Sequence, residues 1–173
     1  MPGNILFVCT GNTCRSIMAE ALLCRMFAAE EKDLPYRPVI LSAGAAATQG
    51  QPASAHAVQV MRERGIDISG HTARNLTREM VLAADLVLTM TMAQKSYLSA
   101  IYPEFSSKIY TLKEFASHGE AGIPGTGDMY GGDVADIGDP FGLELEDYRK
   151  CALEIEESLR KSIRKMISEG GEK

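Results

Sequence analysis

The chain contains four short apolar segments, each bounded by turn-forming residues. They cover residues 4–9, 38–43, 84–90 and 108–112. Continuous apolar runs of this length are typical of strands that are buried on both faces of a parallel sheet. The pattern therefore predicts four parallel strands.

Segments with helical periodicity lie between and after these strands. In the first of them, Met18, Leu22 and Met26 recur four positions apart, which predicts an amphipathic helix that starts at Ser16. Similar patterns predict helices over residues 53–64, 77–84, 92–101 and 144–168. Gly65 fits the C-terminal cap of the helix that precedes it.

Strands that alternate with helices indicate βαβ units with right-handed crossovers. We therefore predict an α/β fold: a single-domain, doubly wound (Rossmann-like), four-stranded parallel sheet flanked by helices. The domain is expected to span residues 1–173, because no linker or internal repeat interrupts it. Residues 117–138 break the pattern with seven glycines and no Lys or Arg, which predicts an inserted lid or a disordered segment.

The composition excludes several classes of function. The chain has 173 residues, of which 45% are apolar and 24% charged, and its formal net charge is −5. Basic residues form no stripe, so we expect no nucleic-acid partner. Apolar stretches are too short for a membrane span or a signal peptide, so we expect a cytoplasmic protein with no membrane partner. The oligomeric state stays open, with a monomer favoured.

The four cysteines do not form a structural framework. A disulfide network is not expected in a cytoplasmic protein. Cys9 and Cys14 are separated by four residues, and no second Cys/His pair with zinc-finger spacing follows. We therefore expect no metal and no cofactor. Cys24 and Cys151 are expected to pack on helix faces.

Cys9 is notable because it ends the first predicted strand, and ligands of doubly wound sheets bind at the carboxyl ends of strands. Residues 10–15 then lead into the first helix, so their N–H groups can converge on one anion. Gly11 is expected to let the backbone curl, and Arg15 supplies a fork for phosphate oxygens. The same donors stabilise a thiolate, so the loop combines a nucleophile with an oxyanion cradle.

The motif Cys-x5-Arg-Ser at residues 9–16, directly after the first strand, resembles the low-molecular-weight protein tyrosine phosphatase family. Neither a P-loop ending nor a dinucleotide-binding set of glycines is present there. Other segments are similar to landmarks of that family: MAEALL (18–23), SAG (42–44), HTARNL (71–76), ADLVLTMT (84–91) and DPFG (139–142). The resemblance covers most of the chain.

The resemblance implies a two-step phosphatase mechanism without a metal. Cys9 would attack phosphorus and form a phosphocysteine, while Arg15 and the loop amides hold the phosphoryl oxygens. Asp139 would protonate the leaving group and later activate water. The residues expected to line the phosphate and substrate site are Thr10, Gly11, Asn12, Thr13, Cys14, Ser16 and Phe141.

The resemblance also assigns supporting residues. Ser16 would hydrogen-bond the Cys9 thiolate, and Asn12 would brace the loop through its side chain against Ser42 and His71. Cys14 has two interpretations: a small packing residue, or a redox partner that closes a disulfide with Cys9 under oxidant.

Other titratable residues are weaker candidates. Asp136 lies three residues before Asp139 and competes with it for the role of the acid. An aspartate before a proline is also a common turn feature, but the Pro-Phe neighbours of Asp139 favour it. His56 and His118 are expected to be surface residues.

Thr13 occupies the position where tyrosine-specific members of the family usually carry a bulky aliphatic residue. The loop at residues 9–16 and Thr91 are most similar to the bacterial protein-arginine phosphatase branch. Phosphoarginine is slimmer than phosphotyrosine, and a threonine hydroxyl can meet its guanidinium, while Phe141 can pack on its side chain. We therefore expect phosphoarginine on proteins as the substrate, with phosphotyrosine as the alternative.

Two further functions are disfavoured. Arsenate reductases with a similar loop need two more cysteines after the third strand, and residues 80–100 contain none. A silent phosphate-binding module would be expected to lack the nucleophile or the acid. Both Cys9 and Asp139 are present.

Overall fold

A computed structural model describes residues 2–29, 37–117 and 135–168. Four strands form one sheet in the order β2-β1-β3-β4, and every neighbouring pair is parallel. Their bounds are β1 (Asn4–Cys9), β2 (Val39–Gly44), β3 (Leu86–Thr89) and β4 (Ile109–Thr111). The predicted fold class is confirmed: the sheet is four-stranded, parallel and flanked by helices.

Six α-helices and one 3₁₀ helix lie within the described residues. They are α1 (Arg15–Ala29), α2 (Ala55–Glu63), α3 (Arg78–Ala83), α4 (Met92–Ile101), α5 (Leu112–Ser117), α6 (Leu145–Ser168) and the 3₁₀ helix Pro103–Lys108. The sequence pattern predicts five of the α-helices but not α5. Six residues are too few to show a helical period, and the apolar run of β4 continues directly into α5.

Side-chain hydroxyls start three of the helices. Ser54, Thr77 and Thr91 each accept a hydrogen bond from the backbone N–H three residues later, at the start of α2, α3 and α4. These contacts satisfy N–H groups that have no partner within the helix. Gly65 follows α2 with a φ of 72°, which is the left-handed conformation that glycine adopts without strain.

The sheet separates two apolar layers. Along β1, Ile5, Phe7 and Cys9 face a cluster formed with α1, α2 and α6. Leu6 and Val8 face the opposite cluster, to which α3 and α4 contribute. Because β1 is central and buried on both faces, its carboxyl end lies in the middle of one edge of the sheet. Cys9 therefore stands at the point where a doubly wound sheet binds ligands.

Three sequence predictions need correction or lie outside the structure. Cys24 is exposed on the solvent side of α1 and does not pack, whereas Cys151 is buried as predicted. His56 is half-buried, because its ring packs edge-on against Tyr148 with 5.2 Å between ring centroids. Residues 118–134, which hold His118 and most of the predicted insertion, lie outside the described residues.

Candidate active site

Residues 10–14 form a loop between the last residue of β1 and the first residue of α1. The Cys9 side chain is 3% exposed at the base of this loop. Its Sγ accepts a hydrogen bond from the Asn12 N–H at 3.2 Å and lies 3.0 Å from Ser16 Oγ. The loop and the start of α1 thus each place a polar group against the cysteine sulfur.

Asn12 fixes the turn of the loop. Its φ of 55° is in the left-handed region, where no other non-glycine residue of the described chain is found. Asparagine tolerates this conformation better than most residues. Gly11 has no positive φ, and a Cβ there would meet only Thr13 Oγ1 at 3.6 Å. The prediction that Gly11 supplies the curl is therefore wrong, since Asn12 supplies it.

The buried Asn12 side chain uses all of its hydrogen-bonding groups. Its Nδ2 donates to Ser42 Oγ at 2.8 Å and to Ser16 Oγ at 2.9 Å, and its Oδ1 accepts from the Arg74 N–H at 3.0 Å. Because Ser16 Oγ already accepts from Asn12, its own proton is free to point at Cys9 Sγ.

The loop rests directly on the end of β2. The Ala45 and Ala46 N–H groups donate to the carbonyls of Cys9 and Thr10 at 2.8 and 2.9 Å. A Cβ at Gly44 would lie 2.6 Å from the Thr10 carbonyl oxygen, so only glycine allows this approach. The SAG segment is therefore part of the support for the loop.

His71 supports the loop through a different contact from the one expected. Its Nε2 lies 2.7 Å from the backbone carbonyl oxygen of Asn12, not from the Asn12 side chain. The side chain is instead occupied by Ser16, Ser42 and the Arg74 N–H.

Arg15 joins the cysteine loop to residues more than 120 positions away. Its buried guanidinium donates from Nη1 to the Ile137 carbonyl at 3.1 Å and from Nη2 to Asp139 Oδ2 at 2.5 Å. The Asp139 side chain is 48% exposed. The structure therefore brings Cys9, Arg15 and Asp139 into one site. A phosphoryl group would compete with Asp139 for the same fork of donors.

Asp136 is engaged elsewhere. Its Oδ1 accepts a hydrogen bond from the Met92 N–H, at the start of α4, at 2.6 Å. Of the two candidate acids, Asp139 is the one that contacts Arg15 and borders the cleft described next.

A cleft of about 180 Å³ opens above the loop. The residues that line it are Cys9, Thr10, Gly11, Thr13, Cys14, Arg15, Gln51, Asp139 and Phe141. Phe141 is 65% exposed at the rim. Asn12, Ser16, Ser42 and His71 do not line the cleft but lie behind the loop, where they fix its shape.

Several residues of the site carry no signal in the sequence. Gln51 enters the cleft from the segment after β2. Gln94 of α4 donates from Nε2 to Thr10 Oγ1 at 3.1 Å. Both contacts depend on the folded chain, because neither glutamine lies in a recognisable motif.

Cys14 borders the cleft and also has polar neighbours from outside the loop. Its Sγ donates to Ser54 Oγ at 3.3 Å and lies 3.5 Å from the Tyr148 hydroxyl. Burial raises the pKa of Tyr148 to about 12, so this hydroxyl stays protonated at neutral pH. Neither Ser54 nor Tyr148 was expected at the site, because they come from α2 and α6 and approach Cys14 only in the folded chain.

Known proteins resemble this chain over most of its length. The model of the family described as low molecular weight phosphotyrosine protein phosphatase matches residues 4–171. The protein-arginine-phosphatase of Geobacillus stearothermophilus is 40% identical over 169 residues, which cover 98% of this chain and 99% of the relative. The probable low molecular weight protein-tyrosine-phosphatase EpsP of Ralstonia nicotianae is 39% identical over 152 residues, or 88% of this chain and 87% of the relative.

A solved structure shows the same fold. It is the YwlE arginine phosphatase in which a serine replaces a cysteine and the active-site serine is phosphorylated. Its TM-score is 0.79 at 34% sequence identity, and the match covers 94% of this chain and 95% of that one.

Proposed function

Because the chain belongs to the low-molecular-weight phosphotyrosine protein phosphatase family, we propose that it hydrolyses phosphoarginine on proteins through a phosphocysteine intermediate. The observation that carries this proposal is the position of Cys9 Sγ at the base of a loop whose buried Arg15 pairs with Asp139. Phosphotyrosine is the alternative substrate, since EpsP, at nearly the same identity, is described as a protein-tyrosine-phosphatase.

The first step transfers the phosphoryl group to sulfur. The Cys9 thiolate attacks phosphorus, the S–P bond forms and the P–N bond of phosphoarginine breaks. Asp139 gives its proton to the departing nitrogen, so that a neutral or cationic guanidine leaves instead of an anion. Loop N–H groups and Arg15 hold the remaining phosphoryl oxygens, where negative charge develops.

The second step returns the enzyme to its starting state. Asp139, now a carboxylate, takes a proton from water while the water oxygen attacks phosphorus. The S–P bond breaks, inorganic phosphate leaves, and the proton that Ser16 directs at Cys9 Sγ stabilises the departing thiolate. The phosphorylated serine in the YwlE structure supports a covalent intermediate at the equivalent position.

The preference for phosphoarginine rests on the polar wall of the cleft. Thr13 lines it, is buried, and places its hydroxyl 3.6 Å from Cys14 Sγ. A hydroxyl at this position can accept a hydrogen bond from a guanidinium. An aliphatic side chain would remove water from the guanidinium and offer no acceptor in its place. Asp139 adds carboxyl oxygens, and exposed Phe141 adds a ring face on which a guanidinium can stack.

Replacing Thr13 by isoleucine tests this assignment. We expect the ratio of kcat/KM on a phosphoarginine peptide to kcat/KM on a phosphotyrosine peptide to fall about tenfold or more, because the pocket loses a hydrogen bond and gains apolar surface. Thr13→Ser is the matched control, since it keeps the hydroxyl and should keep the ratio. An unchanged ratio in Thr13→Ile would show that Thr13 does not set the substrate.

Cys14 is further proposed as a redox partner of Cys9. An oxidant such as hydrogen peroxide would convert Cys9 to a sulfenic acid, which Cys14 would attack to form a disulfide and release water. The contacts of Cys14 Sγ with Ser54 and Tyr148 support the alternative interpretation, in which Cys14 packs as a polar residue.

The partners, location and domain organisation of the enzyme are also proposed. Its partners are expected to be phosphorylated proteins, as the description of its relatives as protein phosphatases indicates. Among the described residues, no helix is long and apolar enough to cross a membrane. We propose a cytoplasmic, single-domain enzyme over residues 1–173.

A further inference from the structure

The segment that leads to Asp139 is fixed to the body of the protein before it reaches the cleft. The Ile137 N–H donates to the Met90 carbonyl at 2.8 Å, and the Ile137 side chain is fully buried. Lys113 Nζ donates to the Asp136 carbonyl at 2.7 Å. These contacts attach residues 136 and 137 to the end of β3 and to α5.

Asp136 adds a contact of a different kind. Its carboxylate accepts the N–H of Met92, the first residue of α4. The first N–H groups of a helix have no partner within it and carry partial positive charge, so a carboxylate there is stabilised. Thr91 caps the same helix through the Gln94 N–H, which leaves the Met92 N–H for Asp136. The charged side chain of Asp136 therefore attaches the segment before Asp139 to the start of α4.

Lys113 connects this anchor to a third element. Besides donating to the Asp136 carbonyl, its Nζ forms an ion pair with Glu154 of α6. Asp136 is thus held by α4 through its side chain and by α5 through its backbone carbonyl. The Lys113–Glu154 ion pair in turn links α5 to α6.

Asp139, in contrast, has little that fixes its own position. Its side chain is half-exposed, and its carboxylate accepts from Arg15 and from the N–H of Phe141, two residues along the same loop. When Arg15 turns its donors to a phosphoryl group, the Asp139 carboxylate loses the contact that ties it to α1. The anchors at residues 136 and 137, together with the Gly138 carbonyl, which accepts from Cys151 Sγ at 3.6 Å, then determine where Asp139 stands.

We propose that Asp136 is a positioning residue, which latches the Asp139 segment onto the N-terminus of α4 and keeps Asp139 within hydrogen-bonding distance of the leaving group. This inference rests on the proposed function, in which Asp139 is the general acid. This role explains the presence of Asp136, which the sequence alone offers as a second candidate for the general acid.

The test compares two aryl phosphates, so that it does not depend on the preference for phosphoarginine. A general acid matters for the poor leaving group of phenyl phosphate and much less for that of 4-nitrophenyl phosphate. For Asp136→Ala we expect kcat/KM on phenyl phosphate, which reports the first step, to fall about tenfold, part of the range that general acids contribute, while kcat/KM on 4-nitrophenyl phosphate changes less than about twofold. Asp136→Asn keeps the acceptor oxygen and should restore kcat/KM on phenyl phosphate.

Two further variants make the result interpretable. Asp85→Ala is the matched control, because the carboxylate of Asp85 likewise accepts backbone N–H groups, those of Gly3 and Asn4, at the start of the central strands. It should leave both rates unchanged. Lys113→Met removes the other grip on residue 136 and should lower the phenyl phosphate rate selectively, which keeps the test available if Asp136→Ala folds poorly.

The outcomes separate the latch from the proposed function. Equal loss on both substrates, or no loss on either, in Asp136→Ala and Lys113→Met would overturn the latch. Asp139→Ala is measured in parallel. If it shows no selective loss on phenyl phosphate, the assignment of the acid fails and the latch fails with it. If Asp139→Ala is selective and the other two variants are not, only the latch is wrong.

Discussion

Replacing Cys9 by serine is expected to abolish turnover, with a loss on the order of 10⁴-fold or more in kcat, as is typical when a catalytic nucleophile is removed. A serine hydroxyl at this position would have to lose its proton with no base beside it, since Ser16 Oγ and the Asn12 N–H are donors toward the sulfur. The measurement is kcat on a phosphoarginine peptide, with inorganic phosphate affinity measured by calorimetry on the same sample.

The fold and the anion cradle should survive this change. Serine is isosteric enough to keep both hydrogen bonds, and Arg15 and the loop amides are untouched. Cys24→Ser is the matched control, because Cys24 is exposed on α1 outside the cleft and its replacement should leave kcat unchanged. Cys151 offers no substitute nucleophile, since burial raises the pKa of its thiol to about 12. Normal turnover in Cys9→Ser would refute the phosphocysteine mechanism.

Replacing Asp139 by alanine should lower kcat/KM on phenyl phosphate about 100-fold and on 4-nitrophenyl phosphate much less, because kcat/KM reports the first step, which loses its general acid. The structure adds a second expectation. Asp139 Oδ2 pairs with Arg15 Nη2 in the folded protein, so its removal frees the guanidinium for the phosphoryl group. KM for either substrate should therefore stay the same or fall.

The dependence of kcat/KM on the leaving group, together with an unchanged or lower KM, distinguishes an acid from a structural residue. A residue that only shaped the site would raise KM and lower both rates together. Asp136→Asn is the control, since it changes a nearby carboxylate but keeps its hydrogen bond to Met92. Equal slowing on the two substrates in Asp139→Ala would remove Asp139 from the mechanism.

The sheet and the cysteine loop could be predicted because their signals are local. Each strand is a short apolar run, and the C-x5-R-S motif lies entirely within residues 9–16. The placement of Cys9 at a strand end follows from fold class alone, since parallel strands meet at one edge. The order of the strands places that end in the centre of the sheet.

The loop geometry was predicted only in part. Glycine is the usual residue where a chain needs a positive φ, so Gly11 was the natural choice. Asn12 takes this conformation instead, because its side chain reaches Ser16, Ser42 and the Arg74 N–H and offsets the strain. No local sequence pattern predicts that Asn12 rather than Gly11 adopts the positive φ, because two of the three partners of its side chain lie at least 30 residues from Asn12.

The remaining contacts of the site arise from packing across the fold. Tyr148 meets Cys14 across 134 positions of sequence, and Gln51 enters the cleft from the segment after β2. Asp136 and Asp139 are equivalent as residue types, and their roles are separated by their partners in the fold, the α4 N-terminus for Asp136 and Arg15 for Asp139. The sequence shows the chemical type of each of these residues, but the contacts between them are set by the tertiary structure.

The measurement that tests the central claim most directly is kcat/KM of the unmodified enzyme on two peptides that differ only in one residue, phosphoarginine or phosphotyrosine. Our account predicts that kcat/KM is higher on the phosphoarginine peptide by about tenfold or more, because Thr13 and Asp139 give the cleft a polar wall that matches a guanidinium. A higher kcat/KM on the phosphotyrosine peptide would contradict the assigned substrate and would return this enzyme to the tyrosine-specific branch of its family.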